Sequence, residues 1–281
     1  MKSRAYGKIN LVLNVVGKNS DGYHDLEMVM TSIGLFDTLD ISISDEDEFI
    51  SNCRYLRYDE GNTIYKVIEK LREKYGFTQR FKVDLQKHIP SQAGLAGGSS
   101  DAAAAIRIIN KLLNLNMSSQ QMIDFAYTIG ADVPFCLSGK TSLVKGIGEK
   151  LLEIENNADF YMILVKPYKG VSTKEAFSIL KYDTMPHYEC EKMVQALKNN
   201  DYEMICQELG NTLEEPSFAL VKQISNIKKE LIDLGCDGAL MSGSGSTVFG
   251  ISKDYELLRR IQQELRTKYS FVYVTNLIKE I

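Results

Sequence analysis

The stretch from residue 93 to residue 105 restricts the fold of this chain more than any other segment. Its glycines are followed directly by serines and then alanines, an order that predicts a turn leading into a helix. It reads Ala93-Gly94-Leu95-Ala96-Gly97-Gly98-Ser99-Ser100-Asp101 and continues through four alanines. Glycines allow positive φ and a close approach of the backbone to a ligand. We predict a helix capped by Ser99 or Ser100, whose unpaired N–H groups and dipole favour a phosphate. An ordinary capped helix, with Asp101 complementing the dipole, fits the same residues.

The length and net charge of the chain limit the kinds of ligand that such a site could bind. The chain has 281 residues, enough for one large or two modest domains, with 44% hydrophobic and 25% charged residues. Its net charge of −4 gives no broad basic field for nucleic acid or an anionic membrane. Any bound phosphate must therefore be held locally.

Cysteine usage and hydropathy predict a cytoplasmic protein. The five cysteines are odd in number and form no C-x-x-C pair, which favours reduced thiols over disulfides or a zinc site. Lys8, Asn10 and Asn14 interrupt the first apolar stretch, so we expect no signal peptide. No run of about 18 apolar residues predicts a membrane span. We also expect no obligate protein partner.

Apolar periodicity predicts strands first and mixed helices later. Alternation predicts a half-buried strand over 8–15, and strands are also predicted at 27–34, 39–43, 81–85, 141–144, 160–165, 246–251 and 271–277. Helices are predicted at 62–75, 99–114, 118–129, 173–180, 189–198, 201–209, 217–234 and 254–267. This order indicates an α+β fold in two lobes, which we place at residues 1–157 and 158–281.

Two further glycine-containing segments resemble phosphate-binding motifs, but each lacks a glycine that the motif requires. Residues 138–141 end like a P-loop, but Pro134 stands where its first glycine is required. Residues 243–245 open like a dinucleotide fingerprint, but Val248 stands in place of the third glycine and a strand follows. The loop 242–247 is therefore either a hairpin connection or a second backbone wall closing over the first glycine loop.

Three single residues have two interpretations each. Asp132 lies among apolar neighbours after a helix, as a turn residue or as a carboxylate that needs a cation or N–H donors. Lys8 is either a surface lysine or an inward ammonium beside Asn10. His24, after an Asp-Gly-Tyr turn, is either structural or functional.

Taken together, five segments resemble the GHMP kinase superfamily. They are Gly7-Lys8-Ile9-Asn10-Leu11, Asp21-Gly22-Tyr23-His24, residues 94–102, Gly130-Ala131-Asp132-Val133-Pro134-Phe135 and residues 242–247. The similarity extends from Lys8 to Gly250, and the Gly-Tyr-His and Ala-Asp-Val-Pro-Phe segments indicate the branch that acts on a diphosphocytidyl substrate.

The resemblance implies both a fold and a reaction. The fold would have an N-terminal lobe like domain 2 of ribosomal protein S5 and a ferredoxin-like C-terminal lobe. The reaction would transfer the γ-phosphoryl group of ATP to the 2-hydroxyl of 4-diphosphocytidyl-2-C-methyl-D-erythritol, in the non-mevalonate (methylerythritol phosphate) route to isoprenoid precursors. Mg²⁺ would be bound through the nucleotide, without a dedicated protein metal site.

The resemblance also implies roles for individual residues. Asp132 is similar to the catalytic aspartate and Lys8 to its paired lysine. The positions that resemble the substrate site are Asn10, Tyr23, His24, Thr173 and Phe177. Those that resemble the ATP site are Asn62, Lys87, Gly94, Leu95, Ala96, Gly97, Gly98, Ser99 and Ser100.

Two other functions fit parts of the pattern. A homoserine or mevalonate kinase would share the glycine loop, but it would not need Tyr23 and Phe177, whose rings suit a flat base. A catalytically silent nucleotide sensor would not need both Lys8 and Asp132. The sequence thus favours a kinase for a cytidine-containing alcohol.

Overall fold

The structure, a computed structural model, describes residues 1–18 and 24–279. Within them the strands are β1 (Lys2–Lys18), β2 (His24–Ser44), β3 (Glu48–Ser51), β4 (Arg80–Gln86), β5 (Ser142–Gly146), β6 (Lys150–Glu153), β7 (Tyr161–Lys166), β8 (Gly210–Asn211), β9 (Gly238–Met241), β10 (Val248–Ser252) and β11 (Phe271–Ile278). The helices are α1 (Thr63–Tyr75), α2 (Gly97–Leu112), α3 (Ser119–Tyr127), α4 (Val133–Ser138), α5 (Thr173–Ser178), α6 (Cys190–Asn199), α7 (Tyr202–Gln207), α8 (Glu214–Leu220), α9 (Gln223–Asp233) and α10 (Tyr255–Leu265).

Most predicted elements are confirmed, and the differences have local causes. The two strands predicted at 27–34 and 39–43 form the single strand β2, because the residues between them stay extended. The helix predicted at 217–234 is divided into α8 and α9, since Val221 takes an extended conformation (φ −141°, ψ 85°) between them. The short helix α4, with proline in its first turn, was not predicted.

The chain forms two compact units, neither of which is one continuous stretch. The first consists of residues 1–7, 35–89 and 96–139, and the second of residues 8–34, 90–95 and 140–281. Residues 157 and 158 both belong to the second unit, so the division into lobes at this point stays a prediction.

The first unit combines a small sheet with helices α1 to α4. The second half of β2 pairs antiparallel with β4, from Thr38 opposite Gln86 to Ser44 opposite Arg80, and β4 pairs parallel with β3. Helix α2 packs against α1, α3 and α4. Its four alanines, 102–105, are completely buried, and their small side chains let the neighbouring helices approach closely.

The second unit is built on antiparallel strands. The first half of β2 pairs with β11, and the order continues through β7 and β10 to β9. On the same half of β2, β5 also pairs, followed by β6, while β1 pairs parallel with β8. Helices α9 and α10 pack on these strands. Across the described part of the chain, no helix has both the length and the apolar character that a membrane crossing requires.

Candidate active site

The predicted phosphate loop leads into α2, but the helix begins earlier than expected. Ala96 occupies the N-cap position in the left-handed conformation (φ 57°, ψ 31°), and Gly97 is the first helical residue. The prediction that Ser99 or Ser100 caps the helix is wrong, because both serines lie inside its first turn. The Ser100 hydroxyl instead hydrogen-bonds to the carbonyl oxygens of Tyr6 (2.6 Å) and Ala96 (3.0 Å).

The N-terminus of α2 is open above Gly98. The helix has no side-chain cap, and its first N–H groups have no acceptor within the helix. Gly98 is exposed, and a methyl group added there would lie 3.7 Å from Thr63 Oγ1, its nearest neighbour. Open space in front of unpaired donors at the positive end of a helix dipole fits a phosphate group.

Lys87 lies beside this helix start, and its predicted role in the ATP site stays a prediction. Its ammonium group forms an ion pair with Asp37 and another with Asp101, where the distance is 2.7 Å. A methyl group added to Gly97 would lie 3.2 Å from Lys87 Nζ. The structure thus places the Lys87 ammonium, which is paired with two carboxylates, next to the first residue of α2.

The two carboxylates around Lys87 differ in their hydrogen bonds. Asp37 also accepts backbone N–H groups from His88 and Ile89. Asp101 has fewer partners, and among the described residues its buried Oδ1 atom has no hydrogen-bond partner. Burial raises the pKa of Asp101 to about 7; Lys87 opposes this rise and the charge of Asp37 adds to it.

The pKa of Lys87 is also raised. Burial acts to lower it, but the charges and hydrogen bonds of Asp101 and Asp37 outweigh burial. Since one lysine cannot neutralise two buried carboxylates, the less well hydrogen-bonded Asp101 is the group that holds a proton most readily. Lys87 therefore stays charged next to the helix start.

Asn62, also expected at the ATP site, caps helix α1. Its Oδ1 accepts the N–H groups of Ile64 (2.9 Å) and Tyr65 (3.4 Å), and its Nδ2 donates to the Arg57 carbonyl oxygen at 2.9 Å. The sequence-derived role of Asn62 in nucleotide binding stays a prediction.

Lys8 is an inward ammonium, which decides between its two interpretations. It lies on β1, is only 4% exposed, and its Nζ donates to Asn10 Oδ1 at 2.8 Å. Its backbone N–H donates to the Leu95 carbonyl oxygen at 3.1 Å, which ties the strand to the glycine loop. A buried ammonium needs acceptors, and Asn10 supplies one of them.

The loop 242–247 joins the antiparallel strands β9 and β10, so the hairpin interpretation is confirmed. It also lies against the first glycine loop: Ser242 Oγ donates to the Gly94 carbonyl oxygen at 3.0 Å, and the Thr247 N–H donates to Ala93 at 3.2 Å. A methyl group on Gly94 would lie 2.0 Å from the Ser242 carbonyl oxygen, so only glycine fits.

The same hairpin approaches the buried lysine. A methyl group on Gly243 would lie 3.5 Å from Lys8 Nζ and 3.1 Å from the Gly94 carbonyl oxygen. The second unit therefore brings Lys8, Gly94 and the loop 242–247 together, although they are far apart in sequence.

Two aromatic rings of the second unit that are predicted to bind the base lie against each other, and their role in base binding stays a prediction. The rings of His24 and Phe177 stack with centroids 4.3 Å apart and planes at 25°. Thr173, at the start of α5, hydrogen-bonds through its hydroxyl to Ser244 Oγ at 2.8 Å. The Tyr23 position lies outside the described residues.

Tyr182 was not predicted, yet it joins this group. Its ring lies nearly parallel to that of His24, with centroids 6.1 Å apart and planes at 6°. The only signal in the sequence is an aromatic residue a few positions after Phe177. Burial, followed by the charge of Lys18, lowers the pKa of His24, so its imidazole is neutral at pH 7, with one donor and one acceptor nitrogen.

Asp132 directly precedes α4 in the first unit. It is half-buried and its side chain does not cap the helix. Lys8 belongs to the second unit, so the pairing of these two residues stays a prediction.

Comparison with known proteins gives matches along nearly the whole chain. Residues 62–140 match the family described as GHMP kinases N terminal domain, and residues 193–270 match GHMP kinases C terminal. A solved structure of a 4-(cytidine 5'-diphospho)-2C-methyl-D-erythritol kinase superposes with a TM-score of 0.84 and 29% identity, covering 99% of each chain. A homoserine kinase from Cytophaga hutchinsonii has a TM-score of 0.75 and 23% identity, over 98% of this chain and 95% of that one, and supports the fold alone. These matches confirm the predicted α+β GHMP kinase fold.

Relatives at higher identity share one name, 4-diphosphocytidyl-2-C-methyl-D-erythritol kinase. The protein of Bacillus cytotoxicus is 40% identical over 279 residues, which cover 99% of this chain and 96% of the relative. That of Clostridium beijerinckii is 38% identical over 281 residues, covering 99% and 100%. The chain therefore belongs to the GHMP kinases and, within them, to the family of 4-diphosphocytidyl-2-C-methyl-D-erythritol kinases.

Proposed function

We propose that this protein transfers the γ-phosphoryl group of ATP to the 2-hydroxyl of 4-diphosphocytidyl-2-C-methyl-D-erythritol, a step of the methylerythritol phosphate route to isoprenoid precursors. The observation that carries this proposal is 40% identity, over 99% of the chain, to a protein named for this substrate. The arrangement of each unit supports it through a phosphate-binding helix start, a buried lysine and an aromatic surface.

The ATP site comprises the loop 94–100, Lys87 and Asn62. The open N–H groups at the start of α2 suit phosphate oxygens, and the Lys87 ammonium beside Gly97 adds a positive charge. Bound ATP supplies the phosphoryl group, together with a Mg²⁺ ion held mainly by its phosphates and water. Within residues 1–18 and 24–279, no group of three or more His, Cys, Asp or Glu side chains is arranged to hold a metal. As the resemblance implies, our proposal includes no dedicated protein site for Mg²⁺.

Asp132 and Lys8 carry the chemistry of the acceptor. Asp132 accepts the proton of the 2-hydroxyl, a role typically worth 10²–10⁴-fold in rate. Lys8 supplies a positive charge that is held in place by Asn10. Phosphoryl transfer depends mainly on positioning and on charge stabilisation, so a fixed ammonium contributes as much as a strong base would.

The cytidine end of the substrate binds to the aromatic surface of the second unit, together with Tyr23, Thr173 and Asn10. The His24 ring, neutral at pH 7, offers a donor and an acceptor to the polar edge of cytosine, and Phe177 offers a stacking face. Small hydroxylated substrates such as homoserine or mevalonate need neither group.

Further properties belong to the same proposal. The protein works in the cytoplasm without an obligate protein partner, and residues 1–157 and 158–281 correspond to the two lobes of the family.

The decisive experiment measures ADP release with ATP and three alcohols: the diphosphocytidyl substrate, homoserine and mevalonate. We expect turnover with the first alone, and its loss in Asp132→Asn prepared in the same way, which controls for contaminating kinases. Equal or faster turnover with homoserine or mevalonate would contradict the substrate assignment. ADP release that depends on none of the three would contradict the kinase function itself.

A further inference from the structure

Tyr182 lies on the connection after α5, where its ring is stacked with His24, the same ring that Phe177 contacts. The three residues belong to the second unit. Phe177 is part of α5, and the Leu180 N–H returns to its carbonyl oxygen at 3.4 Å. The Thr184 N–H then donates to the Lys181 carbonyl oxygen at 3.3 Å, forming a turn that contains Tyr182. The position of this ring is therefore linked to the end of α5.

The orientation of the Tyr182 ring is that of a stacking surface. Its plane is within 6° of the His24 plane, and the His24 plane is within 25° of the Phe177 plane. Parallel or offset rings with centroids between about 4.5 and 7 Å attract one another, and both pairs lie close to this range. A flat base stacked on Tyr182 would therefore lie nearly parallel to the His24 ring as well.

Exposure distinguishes Tyr182 from a core tyrosine. It remains 37% exposed, although burial of its hydroxyl group raises its pKa. A partly exposed ring with one neighbour in parallel can gain further buried surface when a ligand stacks on it. Tyr168, in the same unit, is 92% exposed and therefore represents an ordinary surface tyrosine.

We infer that Tyr182 is a specificity-determining residue, whose ring extends the His24–Phe177 surface and holds the pyrimidine base of the acceptor. The inference rests on the proposed function, because that function supplies a substrate with a cytosine ring. Tyr182 acts on binding of the base and not on phosphoryl transfer, so it favours acceptors that carry a base over small alcohols.

The test compares Tyr182→Leu, which keeps bulk but removes the ring, with Tyr182→Phe, which keeps the ring. We expect Tyr182→Leu to raise the KM for the diphosphocytidyl substrate about 10-fold, the loss typical of one stacking contact. The kcat and the KM for ATP should stay within about twofold of the parent values. Tyr182→Phe and the surface control Tyr168→Leu should leave all three constants within about twofold.

A binding experiment with CDP separates this inference from the proposed function. The parent protein should bind CDP, and Tyr182→Leu should weaken this binding about 10-fold. CDP binding without phosphoryl transfer in the parent would overturn the proposed function and leave the role of Tyr182 supported. Unchanged CDP affinity in Tyr182→Leu, or an equal loss in Tyr182→Phe, would overturn the role of the ring, as would a parent that does not bind CDP.

Discussion

Lys8 and Asp132 are the residues on which the proposed chemistry depends most. Asp132→Asn keeps the size of the side chain but removes its basicity, so we expect turnover to fall by at least about 10². Lys8→Met removes a charge that the second unit buries beside Asn10, and should also impair turnover severely. Single-turnover phosphoryl transfer with both substrates saturating measures this, because weaker binding then has no effect on the rate.

The double variant tests whether these two residues act as one unit. If they do, its loss should be smaller than the product of the two single losses. Fully multiplicative losses would indicate independent roles, and an Asp132→Asn protein within a few-fold of the parent rate would rule out the base assignment.

Asp101 makes stability depend on pH in a defined direction. Its pKa is about 7 in the folded protein, against about 3.9 for an unperturbed Asp. Between these values the unfolded chain has lost this proton and the folded chain keeps it, so the contribution of Asp101 to stability falls as pH rises from about 4 to 7.

The side chain in Asp101→Asn stays neutral at every pH, so this decline should be absent from the variant. The free energy of unfolding of the variant, relative to that of the parent, should therefore rise from pH 5 to pH 8. Urea unfolding at both pH values measures the gain. The same parent-to-variant difference at pH 5 and pH 8 would contradict the assignment.

At the residue scale, the contacts of individual side chains were difficult to predict from the sequence. The spacing of Lys8 and Asn10 on one strand left an inward and a surface orientation open, and burial decided between them. The partners of Lys87 could not be predicted, since Asp37 and Asp101 are distant in sequence and only the fold joins them. Tyr182 has no periodic pattern that would mark it.

At the scale of elements, a substitution at the start of α2 should change protein stability and nucleotide affinity in opposite directions. Gly98 is helical without a positive φ, and a methyl group there has no close neighbour. Gly98→Ala should therefore keep or raise stability, by up to about 1 kcal/mol, because alanine favours a helix. The same methyl group would occupy open space in the loop that we propose binds ATP, so affinity for a non-hydrolysable ATP analogue should fall by about 10-fold or more.

Gly97→Ala is the matched control, since its methyl group would lie 2.9 Å from Ile89 and should lower stability. Thermal unfolding and calorimetric titration measure the two effects. Unchanged nucleotide affinity in a stable Gly98→Ala protein would contradict the proposal that this loop binds ATP.

Elements with long periodic patterns were predictable, whereas the strands of two to four residues were not. Helix α1 was found to within a residue because its apolar side chains repeat along one face. The strand β9 is only four residues long and buried throughout, so it lacks the alternation that marks a half-exposed strand. The start of α2 was misplaced because Gly97 and Gly98 were interpreted as loop, although both are helical.

At the scale of the whole molecule, thiol reactivity tests which cysteines are buried in the folded protein. The five cysteines, all within the described residues, form no disulfide; Cys136, Cys190 and Cys236 are buried, while Cys53 and Cys206 are partly exposed. Burial raises the pKa of Cys190 and of Cys236 to about 12, and only a thiolate reacts readily. We therefore expect at most two thiols to react with an aromatic disulfide reagent at pH 8 within minutes, and all five after unfolding in urea.

Rapid reaction of three or more thiols in the native protein would contradict the buried positions. An exposed-site control is a Cys53→Ser variant, which should lose one of the fast-reacting thiols and leave the total after unfolding at four.

The class of the fold was predictable from the sequence, but the grouping of its segments was not. Strands early and helices later indicated α+β, and the motifs indicated the GHMP kinases, which the matches over nearly the full length confirm. The interleaved units could not be predicted from the sequence, because β1 and β2 each continue from one unit into the other as a single strand.

Because the two units are interleaved in sequence, the chain cannot be divided into two fragments that each contain one complete unit. Each unit needs three separate stretches, and the second includes residues 8–34 as well as 140–281. Strand β11 pairs with β2 through Leu277 and Ile33, and β8 pairs with β1 through Gly210 and Val12. A single cut anywhere in the chain therefore separates at least one unit from a part of itself. After any one cut, at least one unit is complete only when the two fragments reassociate, so recombination between relatives preserves this protein best when it exchanges the chain as a whole.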